Sequence, residues 1–272
     1  MSVLPQVLAL DFDGVICDGM SEYFESSLRA HRASFAQSPD PVRRDELFAR
    51  FAPLRPAVET GWEMIVLVDM LAERDPSGDR ELKERWAAVR DAWVGRKAIE
   101  PKRLADALDA VRDAWVREDL QGWLAKHTFF PGMTAWLRHL CDSGQVWYVV
   151  TTKEARFNVE LLKWQQVPIA RARVIGKQWP KREKWEVLRE LAARHGLPPT
   201  GEGLWFVEDR FETLRGLHER ATDLSAARLY LADWGYVFPD RDVVGAERHE
   251  RIQRIGLADV HAGLEAWPAQ TT

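Results

Sequence analysis

One short apolar run, Val7-Leu8-Ala9-Leu10, opens the chain, and no second strand pattern follows until after Lys126. That layout constrains the fold more than any other feature. Four apolar residues without polar alternation are the pattern of a strand buried on both faces. Such a strand needs neighbours, and residues 20–126 offer charged, helical periodicity instead. The neighbours come later. Residues 146–150, 172–175, 204–207 and 228–231 read as strands, separated by helices at 134–141, around 157–164 and at 184–195. Strands alternating with helices predict an α/β fold with a doubly wound parallel sheet. An ordinary crossover needs about a dozen residues or more. The excursion is far longer, so it is expected to be a separate all-helical domain. The expected boundaries are 1–18 and 130–272 for the sheet domain and 19–129 for the helical one, which leaves and rejoins the sheet at its carboxyl edge.

The first strand runs into Asp11-Phe12-Asp13-Gly14, two carboxylates at the edge where open α/β sheets bind ligands. A carboxylate can act as a nucleophile toward phosphorus, splitting one hard phosphoryl transfer into two easier ones. Asp11 is the candidate nucleophile. Asp13 is the candidate acid that protonates the leaving oxygen and then the base that activates water. A hard cation such as Mg²⁺ is needed beside them, because two anions must otherwise meet. The plainer reading is a turn in which Asp13-Gly14 merely ends a strand.

Three later stretches repeat this pattern of chemistry at a strand end or helix start. Thr151 ends the strand Tyr148-Val149-Val150, where its hydroxyl and the next N–H suit a phosphate oxygen, with Thr152 and Lys153 directly after. Lys181 and Lys184 lie at the start of the helix over 184–195, either one able to offset charge between nucleophile and phosphate. Glu208-Asp209 ends an apolar strand, and adjacent acids there are costly without a cation or donors.

Taken in order, these stretches resemble the haloacid-dehalogenase-like superfamily, specifically its phosphatase branch. The resemblance covers the first strand and residues 129–236; the helical segment matches in position and helicity only. It implies a Rossmann-like core carrying an all-helical cap. It implies Mg²⁺ held by Asp11, Glu208 and Asp209 together with the backbone carbonyl of Asp13. It implies that Thr151 is the second motif and that Lys184, which fits the shorter form of the third, is preferred over Lys181. Glu212, one turn on from Glu208, is expected to orient Asp209 or a metal-bound water. Arg210 departs from the small residue often found at its position. The expected function is Mg²⁺-dependent hydrolysis of a small phosphorylated metabolite through an aspartyl-phosphate. The alternatives are a phosphomutase using the same acids and a silent binding module of the same fold.

Composition narrows the partners. The 272 residues include 38 basic and 42 acidic side chains, a net charge of −4, without the basic excess that nucleic acid or an anionic membrane would draw. Two cysteines, Cys17 and Cys141, are too few for a disulfide framework. With no apolar run of spanning length and no leader pattern, a cytoplasmic protein is expected. Within the helical segment Ala-Val-Arg-Asp-Ala-Trp-Val occurs at 88–94 and again at 110–116, predicting two helices that present similar Val/Trp faces to a common core. Residues 55–63, with Arg55 and Glu59, read either as a substrate-selecting loop or as a plain helix connection.

Overall fold

A four-residue strand with every side chain buried forms where it is paired on both edges, and β1 (Val7–Leu10) is paired in this way. The computed structural model describes residues 4–35, 43–73, 78–178 and 182–269. After β1 the chain turns through Gly14 into β2 (Cys17–Asp18) and then enters six helices. These are α1 (Met20–Ser34), α2 (Arg44–Phe51), α3 (Gly61–Glu73), α4 (Asp79–Arg96), α5 (Pro101–Glu118) and α6 (Leu120–Leu124). β3 (Thr128–Phe129) returns antiparallel to β2. The remainder alternates: α7 (Met133–Asp142), β4 (Trp147–Val150), α8 (Ala155–Trp164), β5 (Val174–Ile175), α9 (Lys184–Arg194), β6 (Leu204–Glu208), α10 (Phe211–Arg220) and β7 (Arg228–Ala232). It closes with α11 (Val244–Glu247), β8 (Ile252–Ile255) and α12 (Leu257–Ala262).

The chain divides into two compact units, one of Met1–Asp18 with Thr128–Thr272 and the other of Gly19–His127. In the first, six parallel strands lie in the order β5-β4-β1-β6-β7-β8. The order turns back on either side of β1, so the crevice at its carboxyl end is the topological switch point of the sheet. Alternation along β1 serves two cores. Val7 and Ala9 join Leu188, Leu191, Leu214 and Leu217 of α9 and α10. Leu8 stands in register with Trp147 and Trp205, and Trp205 continues into a ring stack with Trp267 and Trp136. Both faces are thereby covered, which is why the inner strands read as unbroken apolar runs.

The helical unit is held by α1, α3 and α5. α5 carries an apolar stripe in which Leu104, Leu108 and Trp115 are buried and Val111 half-buried. The repeated heptapeptide lies on α4 and α5, and both of its tryptophans, Trp93 and Trp115, are buried. Its two arginines were not part of the expected apolar face, yet each reaches a buried glutamate. Arg90 meets Glu63 at 3.0 Å and Arg112 meets Glu22 at 2.7 Å. Among the described residues no helix is long and apolar enough to cross a membrane.

Candidate active site

The Asp-x-Asp spacing has a direct structural reason. Phe12 turns into the core, wholly buried and edge-on to Phe129 at 6.1 Å, so the acids on either side of it remain at the sheet edge. Asp11 extends the ladder, its N–H donating to the Val207 carbonyl at 2.9 Å. Gly14 then takes φ +86°, and a Cβ there would lie 1.7 Å from Asp209 Oδ2. Glycine is required at this point by both backbone and space.

β4 and β6 flank β1, so Thr151 and Glu208-Asp209 arrive beside Asp11. Oxygens of Asp11, Glu208 and Asp209 lie within 4.8 Å of one another, the one such ligand group among the described residues. All three acids are buried, as is Asp13. Lys184 is the first residue of α9, whose start is closed by a reciprocal cap between Glu183 and Glu186. Its ammonium lies 2.9 Å from Asp11 Oδ1 and 2.5 Å from Glu208 Oε2. One ammonium is thus shared between two buried acids. Glu208 Oε1 accepts from the Arg210 N–H at 3.2 Å. Thr151 Oγ1 accepts from the Lys153 N–H at 3.2 Å. Gly176, just past β5, lets that loop sit close, since a Cβ there would lie 2.3 Å from the Ala155 nitrogen.

Four buried acids therefore face two ammonium groups, that of buried Lys153 and that of half-buried Lys184, a net charge of −2 when all are ionised. The electrostatics reflect that excess. Burial, with Glu208 and Asp13 adding to it, pushes the Asp11 carboxyl up to about 7 against the pull of Lys184. Burial would lower the Lys184 ammonium, but Asp11 and Glu208 together raise it above its ordinary range. Three converging buried carboxylates served by one lysine fit a hard divalent cation, which takes oxygen ligands and would remove the excess charge.

Of the residues singled out by sequence, Asp11, Asp13, Thr151, Lys184, Glu208 and Asp209 are brought to this one edge, with Thr152 half-buried in the loop after Thr151. Lys181 lies outside the described residues. Arg55 and Glu59 belong to the helical unit. There Arg55 is buried, donating to the Val58 carbonyl at 2.9 Å with its guanidinium 4.9 Å from the Tyr23 ring. The stretch around them is a 3₁₀ turn, Ala52–Ala57, followed by Thr60, whose N–H and hydroxyl both donate to Glu63 at the start of α3. Glu212, in the first turn of α10, pairs with Arg241 at 3.1 Å.

Two participants carry no role in the sequence reading. The Lys153 ammonium sits 3.2 Å from Asp13 Oδ1, almost wholly buried. The Tyr236 N–H donates to Asp209 Oδ2 at 2.7 Å. For Lys153 the signal was its place directly after Thr151-Thr152, at the same sheet edge. For Tyr236 it was a glycine following a strand end, in Ala232-Asp233-Trp234-Gly235.

No family model matches the chain, and no curated protein sequence does. Solved structures do match over nearly its whole length. A predicted phosphatase from Clostridium acetobutylicum aligns with TM-score 0.61 at 13% identity, covering 96% of this chain and 98% of its own. A predicted phosphoglycolate phosphatase from Haemophilus somnus aligns with TM-score 0.58 at 14% identity, covering 96% and 99%. A haloacid dehalogenase-like family hydrolase from Streptococcus pneumoniae aligns with TM-score 0.55 at 14% identity, covering 96% and 99%. The chain shares the fold of these three structures.

Proposed function

We propose that this chain is a phosphatase of the haloacid-dehalogenase-like type, a Mg²⁺-dependent hydrolase of small phosphorylated metabolites. The observation that carries the reading is the excess of buried carboxylate at the switch point of the sheet, with one acid, Asp11, at the end of the central strand and held by Lys184. The likeness to solved phosphatases in fold supports it. Asp11, Glu208 and Asp209 would hold the cation, with the Asp13 carbonyl. Bound there, the cation neutralises charge between carboxylate and phosphate and keeps Asp11 ionised.

The chain's own residues divide the work. Asp11 attacks phosphorus while the bond to the leaving oxygen breaks, and Asp13 gives that oxygen its proton. Asp13 then takes a proton from water, whose oxygen attacks phosphorus and releases Asp11. Lys184 offsets charge between Asp11 and the phosphate, and Thr151 with the N–H after it holds a phosphate oxygen. Lys153, paired with Asp13, keeps the second acid on the side facing the leaving group. The helical unit, Gly19–His127, falls in the chain where the resemblance implies an all-helical cap, and Arg55 and Glu59 lie in the segment that reads either as a selecting loop or as a plain helix connection.

The test is a panel of phosphorylated metabolites that includes phosphoglycolate, assayed for phosphate release with Mg²⁺ and with excess chelator. Turnover that requires Mg²⁺ and fails with Ca²⁺, whose larger and looser coordination misplaces the nucleophile, is expected. Undiminished turnover in chelator would sink the cation assignment, and no turnover on any member would favour the binding module.

A further inference from the structure

Asp209 is held from a segment that none of the roles above includes. After β7 the chain runs Asp233-Trp234-Gly235-Tyr236 back across the turn at residues 13–18. Gly235 is wedged there. A Cβ on it would lie 2.3 Å from the Gly14 carbonyl oxygen and 2.4 Å from Asp209 Cβ. Two glycines, Gly14 and Gly235, thus form a sheath with no room to spare around the Asp209 side chain. The next N–H, that of Tyr236, donates to Asp209 Oδ2 at 2.7 Å and fixes the rotation of the carboxylate.

A glycine peptide cannot aim anything by itself, because its backbone has the widest freedom of any residue. Here side chains on either side pin it. Trp234 Nε1 donates to the Val15 carbonyl at 3.0 Å, and the Tyr236 hydroxyl donates to Asp18 Oδ1 at 2.7 Å. Asp18 is also the last residue of the sheet unit before the chain enters the helical one.

We propose that Tyr236 is a positioning residue for the cation site. Its N–H sets the direction in which Asp209 presents its oxygens, and its phenol, anchored on Asp18, holds that N–H in place. The inference rests on the cation reading above and adds to it a second anchor outside the ligand set. Partners that orient metal ligands typically change affinity by about 10–100-fold when lost, and a phenol acting through its own backbone belongs at the low end.

The experiment is calorimetric titration of Mg²⁺ into the full chain and four variants, with melting curves taken in chelator. Tyr236→Phe and Asp18→Ala should each weaken Mg²⁺ binding about tenfold. The double variant should be no weaker than either, because both cut the same bond. Asp18→Asn retains an acceptor oxygen and should bind within about twofold of wild type, a rescue that loss of packing would not give. If the variants melt lower yet bind Mg²⁺ like wild type, Tyr236 is structural and the inference falls while the cation reading stands. If wild type itself binds no Mg²⁺, both fall.

Discussion

Each unit of the molecule buries acids, and those at the sheet edge are held differently from those of the helical unit. Among the described residues of the helical unit every buried carboxylate is met by donors. Glu22 receives Arg112 through two nitrogens at 2.7 and 2.9 Å, and also Ser26 and Trp123. Glu63 receives Thr60, Trp86 and Arg90; Asp69 receives His31, Trp93 and Lys97. At the sheet edge four acids share two lysines, and one of these, Lys184, serves both Asp11 and Glu208. Burial would raise the Asp69 carboxyl too, yet its hydrogen bonds to His31, Lys97 and Trp93 hold it below the ordinary value, whereas Asp11 is pushed up to about 7. A buried acid with its donors complete is architecture. One that shares its only lysine with a second acid has capacity left for a cation.

The sharpest way to break this contrast is one isosteric change on each side. Asp11→Asn removes the nucleophile, and turnover measured by phosphate release should fall on the order of 10⁴-fold or more, as when other nucleophiles are removed. Residual activity near wild type would place the nucleophile elsewhere. Asp13→Asn is the next largest effect. With an aryl phosphate, whose leaving group departs without a proton, Asp11 can still attack, but water lacks its base. The steady state should slow about 10²–10⁴-fold after a burst of phenol, with phosphate mass on Asp11. A wild-type steady state, or mass on another residue, would show that the acids are misassigned.

On the helical side, Glu22→Gln leaves the guanidinium of Arg112 buried without its counter-charge. Removing one partner of such a pair costs about 3–5 kcal/mol, which urea unfolding would register as a lowered midpoint. An unchanged midpoint would mean that the network carries no stability and that the comparison of the two units is wrong.

Much of this was legible in the chain because the signals are local. Apolar runs mark five of the six strands of the sheet, and a carboxylate pair or threonine at a strand end marks Asp11, Asp13, Thr151, Glu208 and Asp209. The sixth strand, β8, was not legible. Ile252-Gln253-Arg254-Ile255 is an edge strand with two polar residues at its centre, and no periodicity distinguishes it from the charged stretch before it. What sequence could not supply were pairings across distance. Lys153 meets an acid 140 residues away and Arg112 one 90 away, so nothing near either marks its partner. The heptapeptide repeat predicted Val/Trp faces and gave its two arginines no role, and their glutamates, Glu63 and Glu22, lie in unrelated contexts on other helices.

The smallest effect is also the one that tests the sign of the contrast. Asp11 holds its proton to about pH 7 when folded, against an ordinary value of 3.8. Between those values the folded chain binds more protons at this site than the unfolded chain. Stability from Asp11 is therefore fully present below the unfolded value and is lost as pH rises through 7. Asp69 runs the other way. Its lowered carboxyl contributes stability above the unfolded value, lost only as pH falls through the folded one, so from pH 5 to 8 its contribution is constant. Asp11→Asn removes the titration and should gain stability over wild type as pH rises from 5 to 7, on the order of 1–3 kcal/mol, then level off. Asp69→Asn should show a penalty that stays flat over the same window. Urea unfolding in chelator at four pH values measures both. A flat difference for Asp11→Asn, or one that shrinks with pH, would mean that the acid at the end of the central strand is as well satisfied as those in the helices.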